Sequence, residues 1–318
     1  MAVTPAPVPP GGPNAREVFG PPRRRLGERL IAVALAAAAA LSVLVTVGII
    51  VSLTGETLAF FADRAVSVGQ FLTGPQWSPL FADPQFGIRP LVQGTLVITL
   101  IAMVVAVPLG IGTAAYLSEY ASPKVRKSVK PTLELLAGVP TVVFGYFALT
   151  FFTPKILTDL LGLDVAVFNG LAGGVIVGVM IVPTIASVAE DAMAAVPQGL
   201  REGAYGMGAG RRQVVTRVVI PAALSGIVAA VVLGASRAVG ETMIVLIAAG
   251  QVPTTSLNPL KPMETMTAFI GATGKGDVPT GSVGYKAIFA VGFTLFVITL
   301  VINLISIRFV RRYRQVYE

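Results

Sequence analysis

A chain of 318 residues that is 54% hydrophobic and only 13% charged departs from soluble domains, in which about a quarter of residues carry charge, and reads as an all-α integral membrane protein. It holds 24 lysines and arginines against 16 acids, a net charge of +8, and neither cysteine nor histidine. Thiol nucleophiles, disulfides, the common zinc ligands and imidazole acid–base chemistry are thereby excluded, which leaves carboxylates, hydroxyls, basic side chains and backbone.

Residues 1–28 are proline-rich, with little that could pack, and are expected to form a disordered cytoplasmic tail ahead of a six-span domain over 29–318. The apolar run after "RRRLGERL" exceeds the 7–15 residues of a cleaved signal's apolar region, so it stays as the first span. A span needs about 20 mostly apolar residues. The pattern predicts six, over 30–53, 91–117, 132–152, 168–188, 222–248 and 287–307, with Pro108, Pro140 and Pro183 inside three of them. The segments 54–90 and 249–286 between spans are long enough for short interfacial helices or a docking surface.

The basic residues orient these spans. Arg16, Arg23, Arg24, Arg25 and Arg29, the 124–130 cluster, Arg201, Arg211, Arg212 and Arg217, and the four arginines from Arg308 to Arg314 fall on one side. Only Arg64, Arg89, Lys155, Lys261, Lys275 and Lys286 fall on the other. Cytoplasmic loops carry the basic excess, which places both termini inside the cell. The positive charge is thus a topology signal and not a footprint for nucleic acid.

Among polar residues within the spans, Thr95 and Thr99 recur four apart, and Asn169 and Asn303 lie near span ends. Small polar residues commonly join membrane helices, and that is the role expected of them. Glu134, four residues after Lys130, reads as a carboxylate at a helix start with a local ion pair.

Between the fourth and fifth spans lies the loop 189–221, "AEDAMAAVPQGLREGAYGMGAGRRQVVTRVVIP". Its first piece has strong helix formers, Pro197 and Gly199 interrupt it, and small residues follow at Gly203, Ala204, Gly206, Gly208 and Gly210. Small residues let another surface approach the backbone closely. Arg237 and Glu241 then stand four residues apart in an otherwise apolar run, which predicts one helical face for both. Arg237 lies about 24 Å beyond Pro221 along a continuous helix, near mid-membrane. A central arginine costs on the order of 2.5–3.5 kcal/mol and normally faces the bundle interior or water. Its planar set of donors suits an oxyanion, with Glu241 balancing the charge when none is present.

The spacing Glu202-Gly203-Ala204, three residues, Gly208, nine residues, then Val218, Val219, Ile220 and Pro221 resembles the cytoplasmic signature loop of ATP-binding-cassette (ABC) importer permeases, with Gly203 departing from the usual alanine. "SEYASP" (118–123), "LAGVPTVVFGYFAL" (136–149), "SRAVGETMIVLIAAG" (236–250) and the external "FLTGPQWSPLF" (71–81) resemble the phosphate-specific permeases of the PstC type. The resemblance implies a type I ABC importer permease bundle, MetI-like, with a cytoplasmic coupling helix. Glu202, Gly203, Ala204, Gly208 and Pro221 would meet a separate ATPase, and Arg237 and Glu241 would line the path of inorganic phosphate. It further implies a second permease of the PstA type, two ATPase subunits of the PstB type that bind ATP and magnesium, and an external binding protein of the PstS type, in a bacterial cytoplasmic membrane. This chain itself would hold no cofactor or metal and would not be an enzyme. A permease for sulfate or molybdate, and an ion-coupled secondary transporter, remain the alternatives; the latter leaves the Glu202–Pro221 signature without a purpose.

Overall fold

The computed structural model describes residues 26–64, 66–276 and 278–313. The tail expected over 1–28 lies outside them except for its last three positions, which open the first helix, Leu26–Phe61. The chain divides into two compact units, one reaching to Ser52 and the other starting at Leu53. Among the described residues the first unit is the apolar body of that helix.

In the second unit, Arg89–Tyr120, Thr141–Leu160, Gly170–Ala194 and Val283–Arg308 are each long and apolar enough to cross a bilayer. A bent pair, Arg211–Ala222 and Leu224–Val239, meets at 73°. With the first helix, six crossings are present when this pair counts as one.

The third and fourth spans differ from their expected bounds in ways that change the segments beside them. The third starts at Thr141, not at 132, because residues 123–137 form a separate helix, Pro123–Ala137. The break is at Gly138–Pro140: the residue before a proline is pushed out of the helical region, and Pro140, at φ −57° and ψ 131°, heads the next helix instead of kinking one. Ser122 caps the separate helix by accepting from the Val125 amide, with Pro123 in its first turn. The fourth span runs on to Ala194, so the loop expected from 189 begins as helix.

The fourth span is the axis of this unit. Of its most apolar window 61% is buried, against 33% in the second span and 11% in the sixth. Lipid is as apolar as leucine, so membrane helices associate through close packing at small residues. A Cβ on Gly178 would sit 2.7 Å from the Ala102 carbonyl oxygen of the second span, and one on Gly234 2.8 Å from Ile185. The first contact is against backbone and admits only glycine; the second meets the tip of a side chain, which would have to shift to accept a larger residue.

At the end where the second span begins, Phe60, Phe71, Trp77, Phe86 and Phe269 form a buried aromatic cluster. Trp77 meets Phe269 edge-on at 5.0 Å and pairs with Phe86 across a two-residue antiparallel ladder. The segments expected to form short interfacial helices or a docking surface contain short helices at Val68–Thr73 and Met266–Thr273.

Candidate translocation and coupling sites

The fifth crossing is not one rod. After the 73° bend, Leu224–Val239 ends at Gly240, and a π-helical turn follows at Val245–Ala249. Arg237 stands in the last turn of the first piece, where the exposed carbonyl end of a helix favours a cation. Its Nη1 donates to Thr184 Oγ1 at 2.9 Å, and Nη2 lies 3.4 Å from Met180 Sδ. Both partners belong to the fourth span. The guanidinium is half-buried, and its remaining N–H groups have no partner among the described residues.

Glu241 lies beyond the break. It is 8% exposed, and its Oε1 accepts from the amides of Met243 and Ile244 at 3.0 and 3.2 Å. It therefore caps the second piece, a helix start having free N–H groups that a carboxylate satisfies well. Its own carbonyl accepts from Thr267 Oγ1 at 2.6 Å. The expectation of one helical face for Arg237 and Glu241 is thus corrected: Gly240 ends the helix between them, and among the described residues no ion pair joins them. The 24 Å measured along a straight helix from Pro221 falls with it. From Leu224, thirteen residues place Arg237 about 20 Å along its helix.

The loop after the fourth span folds as a short helix, Gln198–Gly206, headed by Pro197. One side of it is buried through Arg201 and Ala204, while Glu202, Gly203, Tyr205, Gly206 and Met207 are exposed. Met207, at 85% exposure, is the most open of the large apolar residues among those described. Gly208 closes the turn at φ +82°, a left-handed conformation that glycine adopts without cost. Of the five predicted coupling residues, Glu202, Gly203 and Gly208 present themselves outward, Ala204 packs inward, and Pro221 lies thirteen residues beyond Gly208 in the first arm of the bent span.

Three of the four polar residues within the spans do join or cap elements. Thr95 Oγ1 donates to the Leu91 carbonyl and accepts from the Met266 amide; Asn169 Oδ1 caps the fourth span through the Ala172 amide at 2.7 Å; Asn303 Oδ1 accepts from Ser236 at 3.2 Å. Thr99 Oγ1 is buried without a partner. The local Lys130–Glu134 pair is corrected. Lys130 reaches Glu190 at 2.7 Å and Asp191 at 2.5 Å on the fourth span, and Arg126 also pairs with Glu190. Burial alone would lower the pKa of Lys130, but hydrogen bonds and charge from Asp191 and Glu190 outweigh it and hold the ammonium above the usual lysine value. Sequence reasoning assigned Arg201 only a topology role and offered Lys130 only the nearby Glu134, because their actual partners lie 60 or more positions away.

Five or six apolar helices long enough to cross a bilayer, with a short helix displayed on the loop after the fourth, are the pattern of a multi-pass permease subunit. Residues 106–315 match the family described as binding-protein-dependent transport system inner membrane component. The probable ABC transporter permease protein YqgH of Bacillus subtilis (strain 168) is 34% identical, over 92% of this chain and 94% of its own. The phosphate transport system permease protein PstC of Mesorhizobium japonicum is 34% identical, over 85% and 86%. Two solved structures share the fold. A bacterial ABC transporter involved in alginate import gives a TM-score of 0.63 at 20% identity, covering 92% of this chain and all of that one. The inward-facing MetNI methionine ABC transporter gives 0.53 at 22%, covering 72% and 95%. The chain belongs to this family of importer permeases, and within it to the PstC type. It is a transport component of the inner membrane, with hydrolysis left to a separate ATPase, and among the described residues no cluster could hold a metal ion.

Proposed function

We propose that this chain forms half of the inward path for inorganic phosphate in an ATP-driven importer. The observation that carries the reading is Arg237, a half-buried guanidinium at membrane depth whose donors are only partly used by Thr184 and Met180. A cation held there without a carboxylate partner is suited to a passing oxyanion. Helices interrupted at membrane depth, as at Gly240, are tolerated where they line a cavity. Glu241 supports the path by holding the second piece of the span. That relatives of this identity are phosphate permeases selects phosphate over sulfate or molybdate.

In this reading Glu202, Gly203 and Gly208 face a groove of the ATPase, Ala204 seats the helix from behind, and Pro221 ends the signature where the fifth span begins. The partners are a second permease of the PstA type, two ATPase subunits of the PstB type carrying ATP and magnesium, and an external phosphate-binding protein of the PstS type. The basic loops support a cytoplasmic side for both termini, the proline-rich tail over 1–28 included. The test is competitive uptake into vesicles holding the reconstituted importer, with phosphate, arsenate, sulfate and molybdate, each with and without ATP. Phosphate and arsenate should compete and require ATP; preferred uptake of sulfate or molybdate, or uptake driven by an ion gradient without ATP, would overturn the reading.

A further inference from the structure

The second span closes with a π-helical turn, Tyr116–Tyr120, and two side chains of that turn are held from the loop beyond the fourth span. Arg201 is only 8% exposed, although its neighbour Glu202 is open. Its Nε and Nη2 donate to Glu119 Oε1 at 3.1 and 3.0 Å. Nη2 also donates to the Met193 carbonyl at 2.7 Å, and Nη1 to the Val196 carbonyl at 2.5 Å. Ser118 Oγ adds a third donor to the same Glu119 oxygen at 3.0 Å. Ten positions later the Arg211 guanidinium lies 5.4 Å from the centre of the Tyr120 ring, within the range of a cation–π contact.

All three guanidinium nitrogens of Arg201 are therefore engaged by protein. A basic residue serving only to mark the cytoplasmic side would leave its head among water and lipid headgroups. Met193 belongs to the last turn of the fourth span, the carbonyl end of a helix, where the dipole favours a cation. Among the described residues, Glu119 is the carboxylate that neutralises Arg201. A lysine, as a point charge, could not hold three acceptors in this planar fork.

We propose that Arg201 is the positioning residue of the helix Gln198–Gly206: its guanidinium, bridging Glu119 on the second span and the Met193 and Val196 carbonyls at the end of the fourth, makes that helix move both spans as one body. The role rests on the reading of Gln198–Gly206 as the helix an ATPase displaces. Glu119 and Tyr120 of the "SEYASP" segment are then the receiving end of the stroke, while Ser122 and Pro123 start the helix that follows.

The test uses the complete importer in vesicles, with ATP hydrolysis and uptake measured together for whichever of phosphate, sulfate or molybdate the wild type moves. A substrate other than phosphate would sink the substrate reading and leave this ratio measurable. Arg201→Lys and Glu119→Gln should assemble with the ATPase and hydrolyse ATP within two-fold of wild type, yet move at least ten-fold less ion per ATP. If an Arg201 variant fails to assemble, Glu119→Gln, which keeps both carbonyl contacts, decides alone. An unchanged ion-to-ATP ratio in Glu119→Gln, or uptake lost only in proportion to hydrolysis, overturns the proposal.

Discussion

Arg237 and Glu241 stand on opposite sides of a helix break: the guanidinium turns to Thr184 on the fourth span, and the carboxylate caps the next helical piece through Met243 and Ile244. They are neighbours in sequence but serve different elements. Residues with no shared partner change stability independently. The losses on Arg237→Gln and Glu241→Gln should therefore add to within about 0.5 kcal/mol. Thermal unfolding of the two single variants and the double variant in detergent measures this, and a coupling beyond 1 kcal/mol would mean that they pair after all.

The same geometry separates transport from folding at Arg237. Its removal strands no buried counter-charge, so Arg237→Gln should cost only about 1 kcal/mol, the size of one net hydrogen bond, and leave the complex intact. Phosphate flux should nevertheless fall at least a hundred-fold. Co-purification of the ATPase alongside labelled-phosphate uptake checks both halves. Wild-type flux in an assembled variant removes Arg237 from the path.

The exposed helix allows a comparison of sign. Gly203 lies inside Gln198–Gly206 and Gly208 in the turn after it, and a Cβ at either would meet nothing within 4 Å. Gly203→Ala should stabilise the helix by about 1 kcal/mol through propensity alone. Gly208→Ala, forced to φ +82°, should destabilise the turn by roughly 1 kcal/mol, the left-handed penalty of an L-residue. Hydrogen exchange at the amides of 198–210 should slow in the first and quicken in the second. A shift of the same sign in both would show that backbone conformation does not govern this turn. Gly208→Trp, bulkier still, should also lower the ion moved per ATP.

The spans built on one uninterrupted apolar run were legible from hydropathy, as were the signature spacing and the joints at Thr95 and Asn169. The breaks were not. Across 132–152 the chain stays apolar through "LAGVPTVVFG", so a hydropathy window passes over Gly138 and Pro140, although proline heading a helix is a local signal that could have been read. At Gly240 the following glutamate seemed to continue a membrane helix by facing Arg237; its use as a cap depends on two amides that only a new helix start exposes. Arg201 with Glu119 was out of reach for a different reason. The two are separated by 82 positions, and each alone looks like an ordinary charge at a span end.

Glu264 supplies a test that depends on pH. It lies between the fifth and sixth crossings, 6% exposed, in a cavity walled by Trp77, Phe81, Pro253 and Phe269 and containing no other charged residue among those described. Burial pushes its carboxyl up from 4.5 to about 7. Below pH 4.5 the group is protonated whether the protein is folded or not, and it has no effect on stability. Between 4.5 and 7 the unfolded chain releases the proton while the fold retains it, so stability falls as pH rises. Above 7 both forms are ionised and the loss levels off, at roughly 3 kcal/mol on the scale of 1.36 kcal/mol per pH unit. Glu264→Gln never ionises and escapes this loss. Relative to wild type, its unfolding midpoint should be little changed at pH 4.5 and clearly raised at pH 8. An offset that stays constant from pH 4.5 to 8 would show that Glu264 keeps an ordinary carboxylate pKa in the fold.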